Sequence, residues 1–256
     1  MFYMYYSGLT SISFRQLTCE EIIALAKGKV DAIEWGSDVH VLPGNVERAK
    51  EVAKMTRDAG MAVASYGSYY YADEGADFDA LLACAVAMDV KTIRIWAGKG
   101  GSDVMTAEKR KAVTEDIARI TKLAAEKGIT VSSEFHRNTL TDTLESALQL
   151  IRDVRALGGE TFCTYWQPAP WFTFEENKRD IAAVMPYLTN VHIFHWDDKL
   201  QKYPIADGKA VWSEYFDIIR AYDKDQTDRY VYIEFVCDND PKNFPADAAA
   251  VNEIVK

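Results

Sequence analysis

The sequence predicts an α/β fold, one (β/α)8 barrel spanning residues 1–256. Three observations carry that reading. The length of 256 residues suits one eight-stranded barrel. Strand-like runs and amphipathic helical patterns alternate eight times from end to end. No linker or low-complexity stretch divides the chain. A doubly wound open sheet is the alternative, but it would usually carry a glycine-rich phosphate loop after its first strand, and none is present.

The strand-like runs fall at residues 5–10, 32–36, 62–66, 92–97, 130–135, 162–167, 191–195 and 230–236. They are rich in Val, Ile and aromatic residues, and most lack strict alternation. Parallel strands covered on both faces look like this. Helical patterns lie between them. Thr18-Cys19-Glu20-Glu21 is a capping-box signal. Asn45 opens a run that closes at Gly60, and Asp77 opens another over residues 78–88. Thr106 precedes residues 107–127, which stop at Gly128. Asp142 precedes residues 143–157, ending at Gly158-Gly159; residues 175–185, 213–222 and 246–255 complete the set.

Composition narrows the function. The chain is 48% hydrophobic, enough for a sizeable core, and its formal net charge is −10. An acidic surface repels phosphate backbones, so no nucleic-acid partner is expected. No run of 18 apolar residues offers a membrane span. The N-terminus lacks the basic flank and apolar block of a secretory signal. Cys19, Cys84, Cys163 and Cys237 are widely spaced with no CxxC pair. They read as reduced, partly buried thiols of a cytoplasmic protein.

Catalytic groups of such barrels sit at the C-terminal ends of strands. All four histidines fall there: His40 past strand two, His136 past strand five, His192 and His195 in or past strand seven. Trp35, Trp96, Trp166 and Trp196 share the bias, and Trp171 and Trp212 lie in the loops that follow. Aromatic walls around a few convergent polar groups describe a small-molecule pocket; the plainer alternative is that these rings pack the barrel mouth. Glu134 stands in Val131-Ser132-Ser133-Glu134-Phe135-His136, and Glu234 in Tyr232-Ile233-Glu234-Phe235-Val236. A lone carboxylate in an apolar strand is costly. A cation would relieve that cost, and so would an ion pair with Arg94 or Lys91. Oxygen ligands with one imidazole suit Mn2+, Mg2+ or Co2+. Glu34 either contacts ligand or pairs with an arginine beneath the pocket. Arg15, Arg137, Lys199 and Lys202 lie in candidate pocket loops and read as solvated surface.

These residues resemble the xylose-isomerase-like sugar phosphate isomerase/epimerase superfamily, over nearly the whole chain. The landmarks are Ile33-Glu34-Trp35-Gly36, Ala64-Ser65-Tyr66-Gly67, Ile93-Arg94-Ile95-Trp96, Glu134-Phe135-His136, Trp166-Gln167-Pro168, His192-Ile193-Phe194-His195 and Ile233-Glu234-Phe235. The resemblance implies a TIM barrel of xylose isomerase-like type. It also implies one divalent metal, Mn2+ first with Mg2+, Co2+ or Zn2+ as alternatives, held by Glu134, His192 and Glu234. The fourth ligand, an Asp in the family, is Gln167 here. A Gln oxygen can ligate a hard cation without adding charge, which weakens binding or leaves a stronger Lewis acid. His195 competes with His192 for the strand-seven place, and alignment with the family favours His192.

The implied activity is isomerisation or epimerisation of a small ketose or aldose, free or phosphorylated, through an enediolate. Glu134 and Glu234 would act as the acid/base pair, and His40, Trp96, His136, Trp166 and His195 would contact substrate. Dehydration or β-elimination on a keto-sugar or inositol-type substrate is the near neighbour. An inactive sugar-binding barrel, argued from Gln167, is the non-enzymatic alternative. The family fold also carries abasic-site endonucleases, which need three clustered metals and a basic face; four histidines and the acidic charge argue against that. Barrels of this kind often pair into homo-oligomers.

Overall fold

The computed structural model describes residues 4–223 and 227–256. Eight strands close into a parallel barrel in sequence order. They are β1 (Tyr5–Thr10), β2 (Ala32–Gly36), β3 (Ala62–Tyr71), β4 (Thr92–Trp96), β5 (Thr130–Glu134), β6 (Cys163–Trp166), β7 (Leu188–Ile193) and β8 (Arg229–Ile233). The helices are α1 (Cys19–Ala26), α2 (Val46–Asp58), α3 (Phe78–Ala87), α4 (Ala107–Ala125), α5 (Leu144–Ala156), α6 (Phe174–Val184), α7 (Lys209–Tyr222) and α8 (Phe244–Val255). β8 pairs with β1 from Tyr5↔Arg229 to Leu9↔Ile233, which seals the ring. The expected (β/α)8 fold is therefore the observed one. Among the described residues, no helix is long and apolar enough to cross a membrane.

Local chemistry sets most helix starts. The Thr18–Glu21 capping box forms as expected, and Asn45, Asp77 and Thr106 each accept a backbone N–H at their helix start. Several helix boundaries differ from the sequence reading, two of them for visible reasons. Thr143, not Asp142, caps α5, because the Asp142 carboxylate accepts from Ser102 N instead. A second capping box, Thr173 with Glu176, starts α6 one residue before the expected point. α7 begins at Lys209 rather than at residue 213.

Strand boundaries shift where side chains or turns take over the backbone. β3 runs to Tyr71 because it regains pairing with β4 at Tyr71↔Trp96 after a register shift. β7 starts at Leu188 and leaves the sheet after Ile193, and Trp196 then bridges Lys202. β8 ends at Ile233, so Glu234 stands one residue past the strand. The chain turns there: Phe235 has φ 56°, and its N–H donates to Ser13 Oγ.

Two packed layers result. The outer faces of the strands meet the helices in one continuous apolar core, running from Leu9 and Ile33 to Val251 and Ile254. Trp166 belongs to this layer. It is fully buried and packs edge-on against Trp212 and Tyr215 of α7. It does not reach the barrel interior, where the sequence reading had placed it as a substrate contact. The preceding residue, Tyr165, faces inward, since successive strand residues alternate faces. Replacing Trp166 by Ala should therefore cost about 3–5 kcal/mol of unfolding free energy in a urea titration. It should leave divalent-ion affinity unchanged.

Candidate active site

The barrel interior carries polar side chains at one level. Glu34 pairs in register with Ser65, Glu134 with Tyr165, and His192 with Tyr232. Strand parity thus aims all of them at the axis. Arg94 of β4 joins two of the acids. Its Nε donates to Glu34 Oε1 at 3.1 Å, and its Nη1 donates to Glu134 Oε2. All three side chains are almost fully buried. The close approach depends on Gly67: a Cβ there would come within 2.7 Å of Glu34 Oε1 and 2.9 Å of Arg94 Nη2. Glu34 also accepts from Ser65 Oγ at 2.8 Å.

His192 packs on this triad, with Nδ1 hydrogen-bonded and Nε2 only within ion-pair range of Glu34. Nδ1 lies 3.2 Å from Gln167 Oε1, 3.5 Å from Glu134 Oε1 and 3.6 Å from Glu234 Oε2. Nε2 lies 3.5 Å from Glu34 Oε1. One nitrogen faces three oxygens, while the other faces a carboxylate that orients the ring. The Gln167 amide is fixed as well. Its Nε2 donates to Phe135 O at 3.0 Å, which turns Oε1 toward His192. Ligand atoms of Glu134, His192 and Glu234 all lie within 4.8 Å of one another.

This buried group fits a divalent cation. Its donors are carboxylate and amide oxygens with one imidazole nitrogen, a set suited to hard or borderline ions. The charge fits too. Three carboxylates and one guanidinium leave two negative charges. Without an ion, protons supply the balance. Burial and the neighbouring Glu134 carboxylate push Glu234 up to about 7. Burial works against charging His192, yet Glu234 and its contacts with Glu134 and Glu34 raise it to about 10. Burial likewise opposes ionisation of Glu34 and Glu134, but Arg94 overrides it and holds Glu34 down to about 2 and Glu134 well below the carboxylate range.

The other residues singled out in the sequence fall into two groups. Trp96 and His136 stand at the rim beside the cluster, their rings 4.2 Å apart. Tyr71 extends that wall, with its ring 4.8 Å from Trp96. The Trp96 indole N–H is buried and has no hydrogen-bond partner among the described residues. His40 is turned away: Nδ1 meets Ser11 Oγ at 3.0 Å and Nε2 meets Leu17 O at 3.2 Å. His195 faces the opposite side from His192, as three residues along an extended chain require, and its Nδ1 donates to Pro204 O at 3.1 Å.

Sequence reasoning named Trp196 among the aromatic walls but missed its partners Phe194 and Phe235. Phe194 stacks on Trp196 at 4.1 Å, and Phe235 follows at 6.0 Å from Trp196. Lys202 places its ammonium 5.4 Å from the Phe235 ring. The run Phe194-His195-Trp196 was the available signal. Its parity was not legible, because the chain leaves β7 there.

A model of the xylose isomerase-like TIM barrel matches residues 22–254. The chain belongs to that family. Within it, the chain is 29% identical over 159 residues to the 3-dehydroshikimate dehydratase of Bacillus anthracis. That stretch is 57% of this chain and 57% of the relative, so the chain spans little more than half the length of the curated protein it matches. Among solved structures, the probable 3-DHS dehydratase of Bacillus anthracis superposes with a TM-score of 0.77 at 20% identity, covering 98% of this chain and 99% of that one. A D-psicose 3-epimerase crystallised in the presence of D-fructose gives 0.70 at 14% identity, covering 97% of each chain. At such identities the structural likeness speaks for the fold.

An ion bound by this cluster must displace the protons that balance the acids. Mn2+ affinity should therefore rise with pH, by about tenfold per pH unit for each proton displaced. Above pH 7 the His192 proton sets the slope, and below it the Glu234 proton adds a second. Calorimetry in buffers of different ionisation enthalpy counts the protons released. A pH-independent affinity with no proton release would show that His192 and Glu234 hold no proton for the ion to displace.

Proposed function

We propose that this chain is a divalent-metal-dependent enzyme that moves a proton on the carbon next to a carbonyl in a small carbohydrate. Epimerisation or isomerisation of a ketose is the net reaction. The buried Glu134–His192–Glu234 group with Gln167 carries the proposal. One ion, Mn2+ first, would be held by Glu134, Gln167 Oε1, His192 Nδ1 and Glu234. When bound, it would offset negative charge developing on the substrate oxygen.

The protein's own groups supply the proton steps. Arg94 keeps Glu134 ionised, while burial gives Glu234 the greater affinity for a proton, so with the ion bound it is the one that reprotonates, on the oxygen the ion leaves free. Two carboxyls with opposite habits are what a transfer across one carbon needs. Glu134 takes the carbon-bound proton, and Glu234 returns one to the other face. Trp96 Nε1, which lacks an internal partner, donates to a substrate hydroxyl, and the Trp96–His136 wall excludes water.

The match to a 3-dehydroshikimate dehydratase favours dehydration as a second reading. The first step is shared. The carbanion then expels a β-hydroxyl, which leaves as water with the Glu234 proton.

The test loads the protein with Mn2+ and offers ketoses in D2O. NMR reads exchange at the carbon next to the carbonyl, and ultraviolet absorbance reads any conjugated carbonyl formed by loss of water. Glu134→Gln should lower exchange by about 10²–10⁴-fold while circular dichroism stays unchanged. Exchange retained at the wild-type rate in that variant would sink the proposal.

A further inference from the structure

Beside the metal-ligand cluster lies a second cavity that the proton-transfer chemistry does not use. It occupies about 230 Å3 between the loop after β6 and the loop after β7. Its walls are aromatic: Phe172, Phe174, Phe194, Trp196 and Trp212, with His195 as a polar group. A smaller cavity of about 70 Å3, lined by Gln167 and His136, shares Phe194, Trp196 and Pro168 with it. The chamber thus adjoins, across Phe194 and Trp196, the smaller cavity that Gln167 lines 3.2 Å from His192 Nδ1.

Two polar atoms belong to residues that line this chamber. Trp196 Nε1 is buried and has no hydrogen-bond partner among the described residues. A buried donor without a partner costs about 1–3 kcal/mol, which an acceptor on a ligand would recover. His195 Nδ1 faces the Pro204 carbonyl, which can only accept, so Nδ1 carries the hydrogen and Nε2 is the acceptor of the neutral ring. Asn177, also in the wall, is spent internally, accepting from Ala169 N and donating to Ala169 O. Volume fits a ring: an apolar cavity of about 150 Å3 holds benzene, and this one is larger.

We propose that the substrate has two parts. The reacting keto-sugar unit lies over the metal ligands, and a second six-membered ring, joined through a glycosidic oxygen, lies in the aromatic chamber. The ring's flat face stacks between aromatic walls, and the glycosidic oxygen accepts from Trp196 Nε1. This assignment rests on the proton-transfer reading for the first unit alone. The chamber itself stands on its walls.

Binding to Mn2+-loaded protein tests it, read by quenching of tryptophan fluorescence with Trp196 and Trp212 as reporters. The probes are methyl β-D-glucopyranoside, phenyl β-D-glucopyranoside and cellobiose. At least one ringed probe should bind about tenfold more tightly than the methyl glucoside, ~1.4 kcal/mol. Preference for cellobiose assigns a sugar ring, and preference for the phenyl glucoside assigns an aryl ring. Val211 lines the chamber from α7 and is 43% exposed, so Val211→Trp fills it from a tolerant position. That variant should erase the preference while Mn2+ affinity stays unchanged. Equal binding of all three probes, no binding of a ringed probe at millimolar concentration, or a preference that survives Val211→Trp would each overturn the proposal. Proton exchange on free ketoses without ring preference would remove the chamber and keep the chemistry. Ring preference without exchange on any ketose would do the reverse.

Discussion

The Arg94 guanidinium, buried between Glu34 and Glu134, is the interaction on which the rest of this interior depends. Ions of this size lose several kcal/mol of hydration on burial, and good geometry must offset it. Here one fork holds two carboxylates from β2 and β5, so three strands are tied across the axis. Removing one partner of such a group typically costs about 3–5 kcal/mol, because the others stay buried and unpaired. The same guanidinium fixes the ionisation of Glu134. It also keeps Glu34 charged beneath His192, which orients the imidazole. Positioning and charge state thus have one origin.

Around that triad the site is balanced by arithmetic. Three acids against one guanidinium leave two negative charges, and a neutral Gln167 adds none. An aspartate in its place would leave three. A divalent ion then brings the buried group to neutrality, where an extra carboxylate would overshoot. Gln167 is accordingly consistent with a working site. Its amide is anchored on Phe135 O with the oxygen turned toward His192 Nδ1.

The walls follow from where strands stop. Trp96 ends β4 and meets His136, which follows β5, while Phe194 and Trp196 extend past β7 toward Phe235. Trp96 is the last residue of its strand and the others lie one to three residues beyond theirs, where the backbone is released from the ladder and side chains can turn over the mouth. Two aromatic sides over a charged floor suit a molecule with hydroxyls at one end and flat faces above them.

The sequence by itself determined the alternation of strands and helices, most helix caps, and two of the carboxylates that meet inside the barrel. Those are local matters: apolar runs, capping side chains, and charges misplaced in apolar strands such as Glu134 and Glu234. Glu34 pairing with an arginine was also legible, because a strand-end acid needs a partner. The tertiary structure decided the rest. It alone showed that Arg94 serves Glu34 and Glu134 together, since the two acids are 100 residues apart in the chain and meet only when β2, β4 and β5 share a barrel. It separated His192 from His195 and Tyr165 from Trp166 by strand parity, which depends on where each strand enters the ladder. It also turned His40 onto Ser11 and Leu17, contacts set by a short turn after β1 that leaves no periodic signature. Pairing across a closed ring is a property of all eight strands at once, and no local window of sequence contains it.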